Sequence, residues 1–304
     1  MNVSQWIDQA AQEFLQAGLH FGHGTDNASD EAVWLVLHSV DAPLDGSFEN
    51  WQQKVSAEQA RRIRDLISIR LSSRQPLAYL LGSAWFAGLE FAVNEHVLVP
   101  RSPIAELILE VYSPWLKPGQ LHRVLDMCTG CGCIAIANAV YLPEVQVDAA
   151  DISSSALEVA KHNVALHGVA DRVRLIQSDL FTELSGQKYD LIVCNPPYVA
   201  NFQRNNLPAE YQAEPELGLY SGEDGLDLCL RIMLQSPHHL TEDGILICEV
   251  GESADRLSAV LPAVPFLWLE FHSGGEGIFL LGRDLLLQSA GCIEALIEDR
   301  SRVR

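Results

Sequence analysis

The sequence predicts an α/β protein: a doubly wound, largely parallel sheet preceded by a small helical domain. Three observations predict it. From Arg123 onward, strand-like runs at 124–127, 145–149, 173–177, 191–194 and 245–250 have helical stretches between most of them, as in strand–turn–helix units built on a parallel sheet. Before that point, apolar residues recur at helical spacing. Between the two lies a pair of short β-rich runs around Gly88. The expected organisation is a helical domain over 1–82, a β-hairpin connector over 83–96 and a sheet domain over 97–304.

Each element follows from local chemistry. Trp6, Ala10, Phe14 and Ala17, at spacings of three and four, mark one apolar helix face. Residues 30–40 supply a second helix through Ala32-Val33-Trp34-Leu35-Val36-Leu37. Ser56 and Gln59 fit a capping box that opens a third, running through Ile63, Leu66, Ile67 and Leu71 to the breaker Pro76. Runs at 84–86 and 90–93 on either side of Gly88 read as the hairpin. Ser102 reads as an N-cap with Pro103 in the first helical position. Runs at 266–271 and 277–281 read as a closing antiparallel pair, and the last twenty residues as a helical tail.

Bulk composition narrows the function classes. A hydrophobic fraction of 48% with 20% charged residues is that of a globular protein with a core. No apolar run approaches the roughly 20 residues of a membrane span, and the N-terminus lacks the basic-then-apolar pattern of a signal peptide. Three of the seven cysteines crowd into Cys128-Thr129-Gly130-Cys131-Gly132-Cys133, too close for ordinary disulfides, so a reducing, cytoplasmic setting is expected. Forty acidic against twenty basic side chains give a net charge of −20. Such a surface repels phosphate backbones and attracts a basic protein.

Ligands of doubly wound sheets bind beyond the carboxyl ends of the strands. The first strand ends in Asp126-Met127-Cys128-Thr129-Gly130-Cys131-Gly132, where Gly130 and Gly132 permit sharp turns and close approach of a ligand. The spacing matches neither the dinucleotide fingerprint nor a phosphate-cradling loop. The second strand ends at Asp151, nineteen residues after Gly132, placed to accept from ribose hydroxyls. The third ends in Ser178-Asp179-Leu180, where a carboxylate suits an exocyclic adenine amine and Leu180 covers the ring. A glycine loop, a ribose acid and an adenine acid without a pyrophosphate cradle describe S-adenosylmethionine. A metal reading of the cysteines is set aside, because the loop glycines are interleaved with them and no matching Cys/His pair exists elsewhere. His20 and His23 read as structural.

The fourth strand, at 191–194, stops abruptly at Asn195-Pro196-Pro197-Tyr198. Two prolines remove two donors and fix the backbone twice. Next to an electrophilic methyl group, this arrangement suits a planar nitrogen whose lone pair is delocalised. The Asn195 side-chain oxygen and the Pro196 carbonyl can hold both N–H groups, so that the lone pair points at the methyl. The prolines keep these dipoles rigid, and Tyr198 offers a flat face. Asn195, Pro196 and Tyr198 are the expected catalytic residues, with Pro197 completing the clamp for an NH₂ group.

With these residues in place the chain resembles a known family. Asn195-Pro196-Pro197-Tyr198 after a Rossmann-like cofactor half is similar to amino-methyltransferases acting on planar nitrogens. The helical N-terminal domain, the hairpin and Val99-Pro100-Arg101 look like the protein-glutamine N5-methyltransferases (HemK-like). Pro100-Arg101-Ser102-Pro103-Ile104-Ala105-Glu106-Leu107 resembles the branch that methylates a glutamine of large-subunit ribosomal protein three. So do Phe21-Gly22-His23-Gly24-Thr25-Asp26-Asn27, Glu214-Pro215-Glu216-Leu217-Gly218-Leu219 and Ile247-Cys248-Glu249-Val250-Gly251.

The resemblance implies a class I S-adenosylmethionine-dependent methyltransferase fold. Asp126, Cys128 to Gly132, Asp151, Asp179, Leu180 and Asn195 would contact the cofactor, and Asn195 to Tyr198 would hold the glutamine amide. Arg101 falls in the family's characteristic segment, either lining the substrate site or pairing with an acid. A ribosomal protein is strongly basic, which suits the −20 charge, and the acidic N-terminal helices are the expected docking region. Glutamine methylation of peptide chain release factors is the alternative. DNA adenine methylation shares the clamp but fits the charge poorly. A non-catalytic cofactor-binding module would not need the clamp.

Overall fold

The computed structural model describes residues 1–117, 119–272 and 274–303. Two units emerge, and neither is contiguous in sequence. Unit one comprises Met1–Glu95, Val99–Arg101 and Leu207–Glu214; unit two comprises His96–Leu98, Ser102–Asn206 and the chain from Pro215 onward.

In unit one the helices form where the apolar periodicity and capping residues place them. Val3–Gln16 is opened by Asn2, whose side chain accepts from Gln5 N, and it buries Val3, Trp6, Ile7, Ala10, Ala11 and Phe14. Ala17, expected on this face, is exposed because the helix has ended and Ala17 is its cap. Ala28–Ser39 follows, then Ala57–Ser73, whose Ser56/Gln59 capping box is present in both directions. Leu77–Leu81 leads into the hairpin of β1 (Ser83–Phe86) and β2 (Leu89–Ala92). Its two-residue turn, Ala87-Gly88, is left-handed at both positions (φ 49° and 76°), the turn that matches strand twist.

The segment Leu207–Glu214 is held in unit one by buried charge. Arg70, 1% exposed, donates to Glu31 at 2.8 Å and lies 3.5 Å from Glu210. Arg74 reaches the same Glu210 at 3.0 Å. The Glu210 carboxylate also accepts from His20 N at 3.1 Å.

Unit two carries a seven-stranded sheet: β3 (Arg123–Met127), β4 (Gln146–Asp151), β5 (Val173–Gln177), β6 (Tyr189–Cys194), β7 (Leu240–Glu249), β8 (Leu267–Trp268) and β9 (Ile278–Gly282). Their order is β5-β4-β3-β6-β7-β9-β8. The first five are mutually parallel and β9 runs antiparallel to β7 and β8. The central strands β3 and β6 and the second half of β7 are buried on both faces, as in an interior parallel sheet, whereas edge strand β5 is largely half-exposed or exposed. Leu125, Met127, Ile192, Cys194, Leu246 and Cys248 are fully or almost fully buried in the core.

Three expectations are corrected. The run at 266–271 contributes only Leu267–Trp268 to the sheet. Its partner begins at Ile278, because Gly277 sits at φ 73° and turns the backbone out of the ladder. The helix after Pro103 is Ile104–Leu109, one residue later than expected, with Pro103 itself as the cap. Ser102 Oγ still accepts from Ile104 N at 3.2 Å, but its hydroxyl proton is directed to Glu249. Finally, Arg283–Val303 is a core element rather than a tail. Leu286 and Ile293 are fully buried, and Leu296 and Ile297 pack beside them along one helical stripe. Arg300 on this helix pairs with Asp227 at 3.3 Å.

Candidate active site

Strand order reverses at β3, which has β4 on one side and β6 on the other. Successive connections leave such a point in opposite directions, and the carboxyl ends of the strands beside it, here β3 and β6, are where doubly wound sheets hold ligands. Met127 pairs with Cys194 there, which places the start of the glycine loop beside Asn195.

The loop after β3 is held by two carboxylates. Asp126 is fully buried. Its Oδ2 accepts from the Thr129 hydroxyl in a short hydrogen bond and from Ala135 N at 3.0 Å, while Oδ1 has no protein partner. Burial pushes this carboxyl up to about 7, against the pull of the Thr129 and Ala135 hydrogen bonds. Asp126 thus shapes the loop from beneath. Asp151, at the end of β4, accepts from Gly130 N and Ser153 N, each at 2.9 Å. Burial raises its carboxyl too, opposed by backbone N–H groups of Ser153 and Gly130.

Cys128 lies at φ 62° and Gly130 at φ 56°, and a Cβ built on Gly130 would meet nothing within 4 Å. The loop therefore presents an open, left-handed stretch of main chain, the shape a close-lying cofactor requires. Thr129 and Cys131 are buried, and the Cys131 carbonyl accepts from the Asn163 side chain at 2.9 Å. Gly132, at φ 83°, opens the helix Cys133–Tyr141. A Cβ there would lie 3.2 Å from both Ala160 Cβ and Ile136 Cδ1. Gly130 is thus open above and Gly132 tight below.

Beyond β5, Ser178 N donates to Asp151 O at 2.9 Å, so this turn is tied to the end of β4. Leu180 is buried at φ 49°. Asp179 is exposed and pairs with Arg231 at 2.9 Å, a partner invisible in the linear sequence.

At the end of β6 the prolines 196 and 197 are buried, whereas Asn195 and Tyr198 are half-buried. Neither the Asn195 side-chain amide nor the Pro196 carbonyl has a hydrogen-bond partner among the described residues. Tyr198 is firmly held: its hydroxyl donates to Glu249 Oε1 at 3.0 Å and its carbonyl accepts from Ser253 Oγ at 2.8 Å. Glu249 carries no role legible in the sequence; its one local mark is that it closes the buried apolar run of residues 245–248.

Arg101 belongs to unit one. Its guanidinium grips Glu214 with two prongs, at 2.6 and 2.7 Å, and His23 Nε2 lies 3.4 Å from the same carboxylate. Val99 N donates to it at 3.1 Å. Burial alone would raise the Glu214 carboxyl, but the Arg101 charge and hydrogen bonds from His23 and Arg101 hold it down at about 2. Of the two roles left open for Arg101, pairing with an acid is the one this structure shows. Three of the stretches that carry the family resemblance, around His23, Arg101 and Glu214, converge on this one buried cluster.

Comparison with known proteins agrees with this reading. The PrmC N-terminal domain model matches residues 5–82 and the methyltransferase small domain model residues 107–210. The ribosomal protein uL3 glutamine methyltransferase of Xanthomonas campestris pv. campestris is 51% identical over 290 residues, 95% of this chain and 94% of its own. That of Xylella fastidiosa is 47% identical over 294 residues, 97% and 94% of the two chains. Among solved structures, the hMettl16 catalytic domain in complex with MAT2A 3'UTR hairpin 6 has a TM-score of 0.50 at 19% identity, over 71% of this chain and 80% of that one. This last likeness bears on the fold alone. On sequence identity over nearly its whole length, the chain belongs to the family of ribosomal protein uL3 glutamine methyltransferases.

Proposed function

We propose that the protein transfers a methyl group from S-adenosylmethionine to the side-chain nitrogen of a glutamine in large-subunit ribosomal protein uL3. The geometric observation that carries this reading is a pair of acceptors without partners among the described residues, Asn195 Oδ1 and the Pro196 carbonyl, on a stiffened strand end beside the glycine loop. Two free acceptors match the two N–H groups of a primary amide. The close relatives named for uL3 supply the acceptor.

The cofactor contributes an electrophilic methyl on a positively charged sulfur. The open main chain at Cys128 to Gly132 is suited to lie along it, with Asp151 on the ribose and the Asp179–Leu180 turn on the adenine. Asp151 can serve although both oxygens already accept from the chain, because each carboxylate oxygen has a second lone pair. Asn195 and Pro196 draw on the amide N–H groups and turn the nitrogen lone pair toward the methyl. On transfer the nitrogen would gain positive charge and its proton would become acidic; Asn195 Oδ1 and the Pro196 carbonyl would stabilise that charge through their hydrogen bonds, and the proton would leave to water. The fixed dipoles are aimed where charge develops, which accounts for the largest share of such catalysis, and in-line placement supplies much of the rest. Tyr198 gives the amide a flat surface.

The −20 charge favours encounter with a basic ribosomal protein and disfavours stable binding to nucleic acid. Among the described residues no helix is long and apolar enough to cross a membrane, and a cytoplasmic site of action follows from the proposed acceptor. The reading is tested by offering labelled S-adenosylmethionine with uL3, a release factor and duplex DNA in parallel, and locating the label by mass spectrometry. Label on a uL3 glutamine alone is the expected result. Label on the release factor would keep the chemistry and overturn the acceptor; label on DNA would overturn both.

A further inference from the structure

Tyr198 is restrained at both ends by residues that the transfer itself does not use. Glu249, which receives the phenol at Oε1, is buried. Its other oxygen, Oε2, accepts from the Ser102 hydroxyl at 2.5 Å. A carboxylate engaged at both oxygens cannot swing, so the phenol is pinned by a group that is itself pinned. The ring lies on Gly251: a Cβ built there would sit 2.7 Å from Cε2 and 3.0 Å from Cζ. Gly225 meets the backbone of the same residue, where a Cβ would lie 2.1 Å from the Tyr198 carbonyl oxygen. One ring face thus rests on main chain, and the half-buried side chain keeps surface for a planar group.

We propose that Glu249 and Gly251 are positioning residues for the amide clamp: they set the plane of the Tyr198 ring, and through it the plane of the acceptor amide. This rests on the reading of Asn195 to Tyr198 as that clamp. The physical reason is angular. The nitrogen lone pair stands perpendicular to the amide plane, so a tilt of the supporting ring turns the lone pair off the methyl even when every distance is kept. Orientation errors of this kind cost rate rather than cofactor affinity.

The test compares Tyr198→Phe, Glu249→Gln, Glu249→Ala, Gly251→Ala and the double change Tyr198→Phe/Glu249→Ala. In each, kcat and acceptor KM, the S-adenosylmethionine dissociation constant and the melting temperature are measured on the same preparation. Glu249→Ala and Gly251→Ala are expected to lower kcat/KM for the acceptor by about tenfold to a hundredfold, the range for losing a hydrogen bond to a charged group. Cofactor affinity should stay within about twofold. Glu249→Gln, which keeps an acceptor for the phenol, should recover most of the activity. The double variant should be no worse than Glu249→Ala, since both changes break the same bond.

A second readout needs no acceptor. With tyrosine labelled at Cζ, the Tyr198 resonance among the seven tyrosines, identified by its loss in Tyr198→Phe, should move in Glu249→Ala and Gly251→Ala. Additive effects, an unmoved resonance, or cofactor affinity and melting temperature falling in step with kcat would overturn the proposal. A wild-type chain that methylates no glutamine while the resonance still answers to Glu249→Ala would overturn the proposed function and leave the ring-holding role standing.

Discussion

The two halves of the site are built on opposite plans. On the glycine-loop side each carboxylate is already engaged by the chain itself. Asp126 holds Thr129 and Ala135, Asp151 holds Gly130 and Ser153, and Asp179 is paired with Arg231. What that side offers is the shape of its main chain and spare lone pairs. On the clamp side the Asn195 amide and the Pro196 carbonyl are unpartnered among the described residues, and the restraint comes from two prolines and a ring seated on glycine. A surface that only has to hold a ligand can use shape. A surface that must change a nitrogen's electron distribution needs rigid acceptors with nothing else to do.

If that difference is real, substitutions on the two sides must fail differently. The largest effect is expected for Asn195→Ala, a drop in kcat of about 10²–10³-fold, as for loss of one preorganised dipole. Its S-adenosylmethionine affinity by calorimetry should stay within about twofold. A parallel loss of affinity would break the comparison. Next comes Asp151→Asn, expected to weaken the cofactor about tenfold to a hundredfold while kcat at saturating cofactor changes by less than about threefold. Equal losses there would mean that Asp151 shapes chemistry as well as binding.

The smallest effect concerns Asp126 and is read in stability. Its carboxyl, 3.8 in the reference state and about 7 when folded, keeps a proton that the unfolded chain releases. The folded state therefore binds more protons between those values, and the stability from this group is lost as pH rises through that window. Melting temperatures between about pH 5 and 8 should show wild type falling relative to Asp126→Asn. A constant difference would mean that the buried carboxyl is already ionised at the low end.

Much of this arrangement could be read before any coordinates. Leu191-Ile192-Val193-Cys194 is apolar on both faces, as only an interior parallel strand is, and the residues just beyond such strands are where ligands sit. What stayed hidden depends on partners distant in sequence. Ser102 carries the local mark of a helix cap, yet its proton goes to Glu249, 147 positions away. Asp179 looks like a free carboxylate until Arg231 is folded against it. Arg101 could be given two roles because Glu214 lies 113 positions further on. Local chemistry predicts elements and strand ends, whereas ion pairs between distant segments need the fold.

The excursion of Leu207–Glu214 into the helical unit bears on how the protein can be dissected. A fragment ending near Glu95 would look, from sequence, like an intact recognition module. It would lack Glu210, and with it a carboxylate that Arg70 and Arg74 share. Arg70 would keep Glu31 but, with Arg74, would lose the carboxylate that completes this buried cluster. Expression of residues 1–95 alone should therefore give an insoluble or molten fragment. Supplying residues 99–101 and 207–214 through short linkers should restore it, making the helical unit a module assembled from three stretches of chain rather than one.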